Sequence, residues 1–281
     1  MADNAFDSDY WDSRAEAWDN REGMLERFTE DLGRAGIDAL APEPGERVLD
    51  VGCGPGSTTV DLAGRVGSGG EVIGLEISPA MVAAAERRVA NAGVGNARFL
   101  VHDLERAPLV EGYDAAYSRF GVMFFAEPER AFSNLVASLR PGGRFAAVVW
   151  APPQENPWMA ITSASAAAAL GTELSLPAPG GPGPFSLSDA DSLVTLLQGA
   201  GLVDVAVEPV LGRLELHTDS AAFEVASMLR IGPLGDAFGA AGRDGQAAAV
   251  EAVLIASEPH RTGDGWELPG CALLATGARP D

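Results

Sequence analysis

Short apolar runs alternate with longer amphipathic segments through the first half of the chain. The apolar runs have the length of buried strands and lie at 47–50, 71–75, 97–101, 113–117 and 144–150. Between them, apolar residues recur every three or four positions, which predicts helices at 57–66, 79–92 and 128–139. Strands that alternate with helices in this way predict an α/β fold with a parallel, doubly wound sheet.

The pattern changes on both sides of this core and predicts four regions. They are a helical N-terminal segment at 1–40, which we call the N-terminal cap, the core at 41–150, an insertion at 151–190 and a C-terminal part at 191–281. The insertion contains an Ala-rich helix and the Pro/Gly loop 177–184. Because it follows the fifth strand, and such sheets bind ligands at the carboxyl ends of their strands, we expect it to form a lid or substrate wall. The C-terminal part predicts a helix at 188–200, a strand at 202–210, a mainly helical insertion at 218–256 and a last strand at 271–278.

Composition narrows the class of partner. The 281 residues carry a net charge of −21, and every one of the 19 basic residues is Arg. Such an acidic chain without a basic run argues against nucleic acid and anionic membranes as partners. No apolar run approaches the roughly 20 residues needed to span a bilayer. The acidic N-terminus does not resemble a targeting peptide, so we expect a cytoplasmic protein. As to its oligomeric state, we expect a monomer or a homodimer.

Cysteine and histidine usage argues against a metal site. The two cysteines, Cys53 and Cys271, lie far apart in the sequence, and the three histidines have no ligand spacing. We therefore expect neither a catalytic metal nor a disulfide framework.

A glycine-rich loop follows the first strand and reads Asp50-Val-Gly-Cys-Gly-Pro-Gly56. Glycines between a strand and a helix let a ligand approach the backbone closely, although a tight turn alone could also require them. The dinucleotide fingerprint needs a third glycine where Ser57 stands. A phosphate-binding Walker loop needs a lysine, which the chain lacks.

Acidic residues after the first three strands favour S-adenosylmethionine as the ligand. Asp50 precedes the loop, Glu76 can accept hydrogen bonds from both ribose hydroxyls, and Asp103 can take the adenine amino group. This cofactor has an ammonium and a sulfonium but no phosphate, so an acid at the mouth helps to bind it. Apolar contacts to adenine are expected from Ile77, Met81 and Leu104, and backbone contacts from Gly52, Cys53 and Gly54.

These motifs resemble the class I S-adenosylmethionine-dependent methyltransferases, especially the branch of ubiquinone/menaquinone-biosynthesis and natural-product enzymes. The likeness rests on four segments: 48–56, 74–81, 113–120 and 139–145. It implies a Rossmann-like, seven-stranded sheet whose last strand is antiparallel. It also implies cofactor contacts from Ser118, Arg119 and Phe120, and an N-terminal segment that brings Tyr10 and Trp18 near the cofactor. Many relatives have Asp where this chain has Glu76.

Catalytic residues are harder to predict, because in methyl transfer the protein mainly aligns the reactants and excludes water. A hydroxyl acceptor would need a general base. His217, which precedes a possible helix cap at Thr218-Asp219, and His102 are weak candidates. An apolar acceptor pocket is expected from Met123, Phe124, Trp150, Asn156, Trp158, Met159, Phe185 and Met228.

The resulting hypothesis is a methyltransferase that acts on a hydrophobic small molecule of specialised or quinone-type metabolism, with S-adenosylhomocysteine as the second product. Because fold does not determine function, two alternatives stay open. One is a cyclase or other non-methylating enzyme that retains the cofactor. The other is a protein that only senses S-adenosylmethionine, although the large apolar insertion argues against it.

Overall fold

The computed structural model describes residues 6–19, 24–110, 112–174 and 181–281. One sheet runs through the molecule. Its strands are β1 (Arg47–Val51), β2 (Glu71–Glu76), β3 (Ala97–Val101), β4 (Tyr113–Arg119), β5 (Leu139–Trp150), β6 (Val203–His217) and β7 (Gly265–Ala278). Part of the predicted Pro/Gly loop 177–184 lies outside the described residues.

Helices cover both faces and the carboxyl-terminal edge of the sheet. They are α1 (Ser8–Asp12), α2 (Ala15–Asp19), α3 (Met24–Leu40), α4 (Ser57–Val66), α5 (Pro79–Asn91), α6 (Pro128–Ser138), α7 (Pro157–Leu170), α8 (Ala190–Gly199), α9 (Ala221–Ile231), α10 (Gly235–Ala240) and α11 (Gly242–Ser257). Within the described ranges, no helix has both the length and the apolar character required to cross a membrane.

The sheet has seven strands in the order β3-β2-β1-β4-β5-β7-β6. The first five strands are parallel, and β7 runs antiparallel to both β5 and β6. The predicted doubly wound sheet with an antiparallel last strand is therefore confirmed. The chain reverses direction across the sheet next to β1, so the carboxyl ends of β1, β2 and β4 border one crevice, which is where such sheets bind ligands.

The last two strands extend further than their apolar runs predicted. The ladder between β6 and β7 continues from the pair Val210–Ala272, level with the end of β5 at Trp150, to the pair His217–Gly265. We call the projecting segment, residues 211–217 and 265–271, the hairpin extension. One of its faces is apolar and buried, because Leu214, Leu216, Trp266 and Leu268 all point towards the helices.

A pair of opposed glycines marks the base of the hairpin extension. Gly212 and Gly270 are cross-strand partners, and the ring of Phe28 lies against both of them. A Cβ atom on Gly212 would lie 2.7 Å from this ring, and one on Gly270 would lie 2.5 Å from it. The missing side chains therefore create the notch that lets α3 approach the sheet.

Helices from two parts of the chain, α7, α9, α10 and α11, pack together, and we call this group the lid. Helix α7, from the expected insertion, packs against α11, which lies between β6 and β7 in the chain. Helix α9 contacts α2, α3, α7 and α11 and so lies between the N-terminal cap and the rest of the lid. The expected helix cap at Thr218-Asp219 is wrong: α9 begins at Ala221, and the Thr218 hydroxyl donates to the Asp264 carbonyl.

Candidate functional site

The glycine-rich loop leaves β1 and turns sharply into α4. Gly52, Gly54 and Gly56 all have positive φ angles, of 68°, 52° and 84°. Side chains would be blocked at two of these positions, since a Cβ on Gly52 would lie 2.8 Å from the Gly121 backbone and one on Gly56 would lie 2.8 Å from Ala85. At Gly54, however, a Cβ would meet no atom within 4 Å. The loop therefore presents bare backbone to open space at this glycine.

Hydrogen bonds fix this loop to the end of β2. The N–H groups of Gly52 and Cys53 both donate to the Leu75 carbonyl, at 2.8 and 3.0 Å. The N–H of Gly54 donates to Glu76 Oε2 at 3.1 Å. Burial raises the pKa of the Cys53 thiol, with Asp50 and Glu76 adding to the effect, so it stays protonated. The loop is thus preorganised by its own protein contacts.

Glu76 is held in one orientation at the end of β2. Its Oε1 accepts from the N–H groups of Ile77 and Ser78, at 2.8 and 3.1 Å, while Oε2 accepts from Gly54. The residue is only 9% exposed, and burial raises its pKa against these backbone hydrogen bonds, which lower it. A carboxylate so oriented at the mouth of the loop fits a ligand that offers hydroxyl donors.

Asp50 is the most deeply buried acid of the site. It is 1% exposed and accepts a hydrogen bond from the Thr59 hydroxyl at 2.6 Å. Burial raises the pKa of Asp50 to about 6, although the Thr59 bond and the charge of Arg119 lower it. A buried anion under a backbone loop favours a cationic ligand group and disfavours a phosphate.

The turn after β4 forms the opposite wall of the crevice. The Ser118 hydroxyl donates to the Val51 carbonyl at 2.8 Å, and Arg119 donates to the Ser57 hydroxyl at 2.6 Å. Phe120 has a φ of 59°, which is unusual for a residue with a side chain. Its ring stacks on Trp150 with centroids 4.1 Å apart. The contact between Ser118 and Val51 thus joins the ends of β4 and β1 at the crevice.

Asp103 follows β3, the strand next to β2, and β2 ends at Glu76. Its Oδ1 accepts from the Glu105 N–H at 2.9 Å, and its Oδ2 pairs with Arg106 at 2.9 Å. The side chain remains 31% exposed, so its contact to a ligand stays a prediction. Leu104 and Met81 are buried beside it, whereas Ile77 is half-buried. His102 lies 2.9 Å from the Ala107 carbonyl, an arrangement that suits a structural role.

The N-terminal cap lies across the end of β2 and the start of α5. Ser8 donates to the Ile77 carbonyl at 3.0 Å, and Asp12 accepts from the Ser78 hydroxyl and from the Ala80 N–H. Tyr10 is half-buried under Arg14, whose guanidinium lies 3.9 Å from the ring centre. Trp18 lies 6.3 Å from the Trp11 ring. The cap thus carries both predicted aromatics, but their contact with a cofactor stays a prediction.

The apolar residues predicted for the acceptor pocket belong to one hydrophobic cluster. Its buried members are Met123, Trp150, Trp158 and Met228, and Phe124, Met159 and Phe185 are partly buried against it. Trp150 occupies its centre, with Phe120 on one side at 4.1 Å and Phe28 on another at 5.7 Å. Trp158 packs edge-on against both Trp150 and Phe28. The aromatic cluster starts directly beside the turn after β4.

Asn156 has a different role from the one predicted. It is fully buried, and its amide nitrogen donates to the carbonyls of Ala151 and Cys271, at 3.0 and 2.9 Å. Its Oδ1 accepts from Cys271 N–H and from the Trp158 indole, both at 3.1 Å. The hydrogen-bonding capacity of the amide is thus satisfied within the protein, and Asn156 clamps α7 to the sheet instead of lining a pocket.

The structure does not support His217 as a general base. Asp50 on β1 is level with Ala206 on β6, as the cross-strand partners Tyr117, Ala146 and Thr276 show. His217 is exposed at the end of β6, which places it about 36 Å further along an extended strand. A position after a strand could be predicted for His217, but the length of that strand could not.

Sequence reasoning missed two groups at this edge. Phe28, which stacks near Trp150, lies in the apolar helical pattern of α3 and could have been found from that pattern. The buried ion pair between Arg27 and Glu224, at 3.0 Å, joins α3 to α9 and left no local signal.

Loop, acids and strand order together define the Rossmann-like class of domains that bind S-adenosylmethionine. Residues 48–143 match a family model described as a methyltransferase domain. Over residues 48–143 the chain is therefore assigned by similarity to a methyltransferase domain.

Similar proteins agree with this assignment. The chain is 32% identical over 145 residues to the aklanonic acid methyltransferase of Streptomyces sp. (strain C5), which covers 50% of this chain and 66% of that protein. It is 33% identical over 129 residues to the demethylmenaquinone methyltransferase of Beutenbergia cavernae, and this match covers 46% of this chain and 50% of that protein. The matches thus span half to about two thirds of these relatives.

A solved structure reproduces the fold over nearly the whole length. The cyclase SpnF aligns with a TM-score of 0.58 and 19% identity, covering 97% of this chain and 95% of that one. At this identity the likeness concerns the fold alone. The family match ends at residue 143, so the lid lies outside it.

Proposed function

We propose that this protein transfers the methyl group of S-adenosylmethionine to a hydrophobic small molecule of quinone-type or specialised metabolism. The observation that carries the proposal is the glycine loop, which offers open backbone at Gly54 between two buried acids, Asp50 and Glu76. The proposal includes a cytoplasmic location. The net charge of −21 argues against nucleic acid as the acceptor.

In this proposal each acid binds a different part of the cofactor. Glu76 accepts from the ribose hydroxyls, and Asp103, Leu104, Ile77 and Met81 surround the adenine. Asp50, Gly52, Cys53 and Gly54 face the methionine part, and Arg119, flanked by Ser118 and Phe120, attracts its carboxylate. Tyr10 and Trp18 close the site from the cap. Burial of Asp50 and Glu76 supports this division, because a cation compensates buried negative charge.

The acceptor lies on the other side of Phe120, against the aromatic cluster around Trp150. This placement is supported by the similarity to enzymes whose names refer to aklanonic acid and demethylmenaquinone. When bound, the cofactor supplies an activated methyl group. The protein aligns an oxygen, nitrogen or carbon nucleophile with it and excludes water, which accounts for much of the rate in such reactions.

Substitution of Glu76 tests the cofactor side. Glu76→Gln should weaken S-adenosylmethionine binding by about 1.5–3 kcal/mol, because the charged acceptor for the ribose hydroxyls is lost. Isothermal titration calorimetry measures this change. Glu71→Gln is the matched control, since Glu71 begins the same strand and pairs only with Arg47 and Arg98 at the opposite edge. Equal affinities for the two variants would refute the role of Glu76.

A cofactor-retaining cyclase is the second candidate, because the cyclase SpnF shares the fold over nearly the whole chain. The two functions differ in their second product. A methyltransferase releases one S-adenosylhomocysteine for each acceptor converted, whereas a cyclase converts its substrate and leaves S-adenosylmethionine intact. Quantifying S-adenosylhomocysteine by mass spectrometry alongside the product therefore decides between them.

A further inference from the structure

The lid holds a buried carboxylate whose second oxygen has no partner. Glu224 on α9 has a side chain that is 5% exposed. Its Oε1 accepts from Arg27 at 3.0 Å, whereas Oε2 is buried without a hydrogen bond. Leaving a buried acceptor unpaired is unfavourable, and more so for a charged group. An ion pair that served only to hold two helices together would not need to bear this cost.

The position of Glu224 points to the acceptor side of the site. Its neighbour one turn further along α9 is Met228, a buried member of the aromatic cluster. Its partner Arg27 immediately precedes Phe28, whose ring is 5.7 Å from Trp150. Trp150 in turn stacks on Phe120 at 4.1 Å, beside the cofactor crevice. Two ring contacts therefore link the crevice to α3, the helix that also carries Arg27.

The surrounding helices place α9 against the N-terminal cap and against the aromatic cluster. Helix α2 of the cap contacts both α9 and α5, and its Asp19 pairs with Arg87 and Arg88 near the end of α5. Helix α9 also contacts α3 and α7, the helices that carry Phe28 and Trp158 of the cluster. A buried carboxylate on this helix, with one oxygen that has no partner, is a candidate for proton transfer.

We propose that Glu224 is a catalytic residue that accepts the proton of a neutral O–H acceptor, such as a phenol or an enol, during methyl transfer. This inference rests on the proposed function. The acceptor O–H donates to Oε2. As the oxygen forms its bond to the methyl carbon, the proton moves to Glu224, the carbon–sulfur bond breaks, and its electron pair stays on sulfur as the neutral thioether. Arg27 orients the carboxylate through Oε1.

This assignment also defines the substrate class. The Glu224 carboxylate repels an acceptor that is itself a carboxylate, and such an acceptor needs no base. Neutral acceptors with an acidic hydroxyl, in contrast, satisfy the orphaned oxygen. The site should therefore discriminate between two acceptors of the same shape that differ only in carrying a hydroxyl or a carboxylate.

Matched aromatic acceptors test this proposal. The full-length protein is assayed with 1-naphthol, 2-naphthol and 1,3-dihydroxynaphthalene and with 1- and 2-naphthoic acid, and methylated products are quantified by mass spectrometry. For the wild type we expect methylation of the hydroxyl compounds and little of the acids. Glu224→Gln should lower kcat for the hydroxyl compounds at least about 100-fold, the range of general-base catalysis. It should leave the rate with the acids unchanged or raised.

Controls separate this role from a structural one. Glu224→Asp keeps a carboxylate and should recover part of the lost rate, and Glu251→Gln, an exposed acid on α11, should behave as the wild type. S-adenosylmethionine affinity and the melting temperature report on folding in each variant. Equal losses with both acceptor types, or full activity of Glu224→Gln, would overturn the assignment. A wild type that binds S-adenosylmethionine but methylates none of the acceptors would overturn the proposed function, and the Glu224 assignment with it.

Discussion

Replacing Gly54 with leucine should abolish S-adenosylmethionine binding while the protein still folds. The space that a side chain would enter at this position is empty of protein atoms, so the substitution fills the proposed cofactor site without a clash in the core. The positive φ of 52° adds a backbone cost of about 1–2 kcal/mol for any residue other than glycine. We expect at least an approximately 100-fold loss of affinity in calorimetry.

Gly93 provides a matched control for this substitution. It has a φ of 67° after α5, and a Cβ there also meets no atom within 4 Å. Gly93→Leu therefore carries the same backbone cost but lies away from the glycine loop. It should lower the melting temperature about as much as Gly54→Leu and bind the cofactor like the wild type. Similar affinities for the two variants would contradict the loop model.

Asp50→Asn should make the cofactor-free protein more stable while weakening cofactor binding. The carboxyl has a pKa of about 6 in the folded protein and about 3.8 as a model value. Between these values the folded state binds more protons than the unfolded state, so the stability contributed by Asp50 falls as the pH rises through this window. Above pH 6 the free-energy cost of burying the ionised Asp50 carboxylate is fully present and amounts to about 3 kcal/mol.

Denaturant unfolding of the wild type and of Asp50→Asn, each at pH 4 and pH 8, measures this effect. The difference in unfolding free energy should favour Asp50→Asn at pH 8 by about 2–3 kcal/mol and should largely vanish at pH 4. Binding should show the opposite trend, because the ammonium group prefers the ionised carboxylate. Wild-type affinity should fall below pH 6, and that of Asp50→Asn should stay flat. A variant less stable than the wild type at pH 8 would refute the burial cost.

The core and the cofactor loop could be predicted because their signals are local. An apolar run, a glycine turn and a terminal acid lie within about ten residues, as in 47–56, and the structure has a strand and a turn there. The extended β6 was underestimated for a different reason. Leu214 and Leu216 alternate with polar residues as a strand with one solvated face requires, but Gly212 interrupts the pattern.

The contacts around the proposed acceptor site could be predicted only in part, because they depend on packing between distant segments. Arg27 and Glu224 are 197 residues apart and meet only because α9 folds back onto α3. Asn156 shows the converse difficulty. Asn156 was predicted to line the acceptor pocket, but both ends of its side-chain amide bind the backbone of Cys271, 115 residues away. Residue types indicate what a side chain can do, and only the tertiary contacts determine which of these roles it takes.

The glycine pair at the base of the hairpin extension has an evolutionary consequence. Gly212 and Gly270 are bare because the Phe28 ring occupies the space of both missing side chains. The three positions are therefore constrained jointly, although they lie in three separate elements. Among descendants of this sequence, alanine at either glycine should be accompanied by a smaller residue at position 28, and the glycines should persist wherever an aromatic ring remains there.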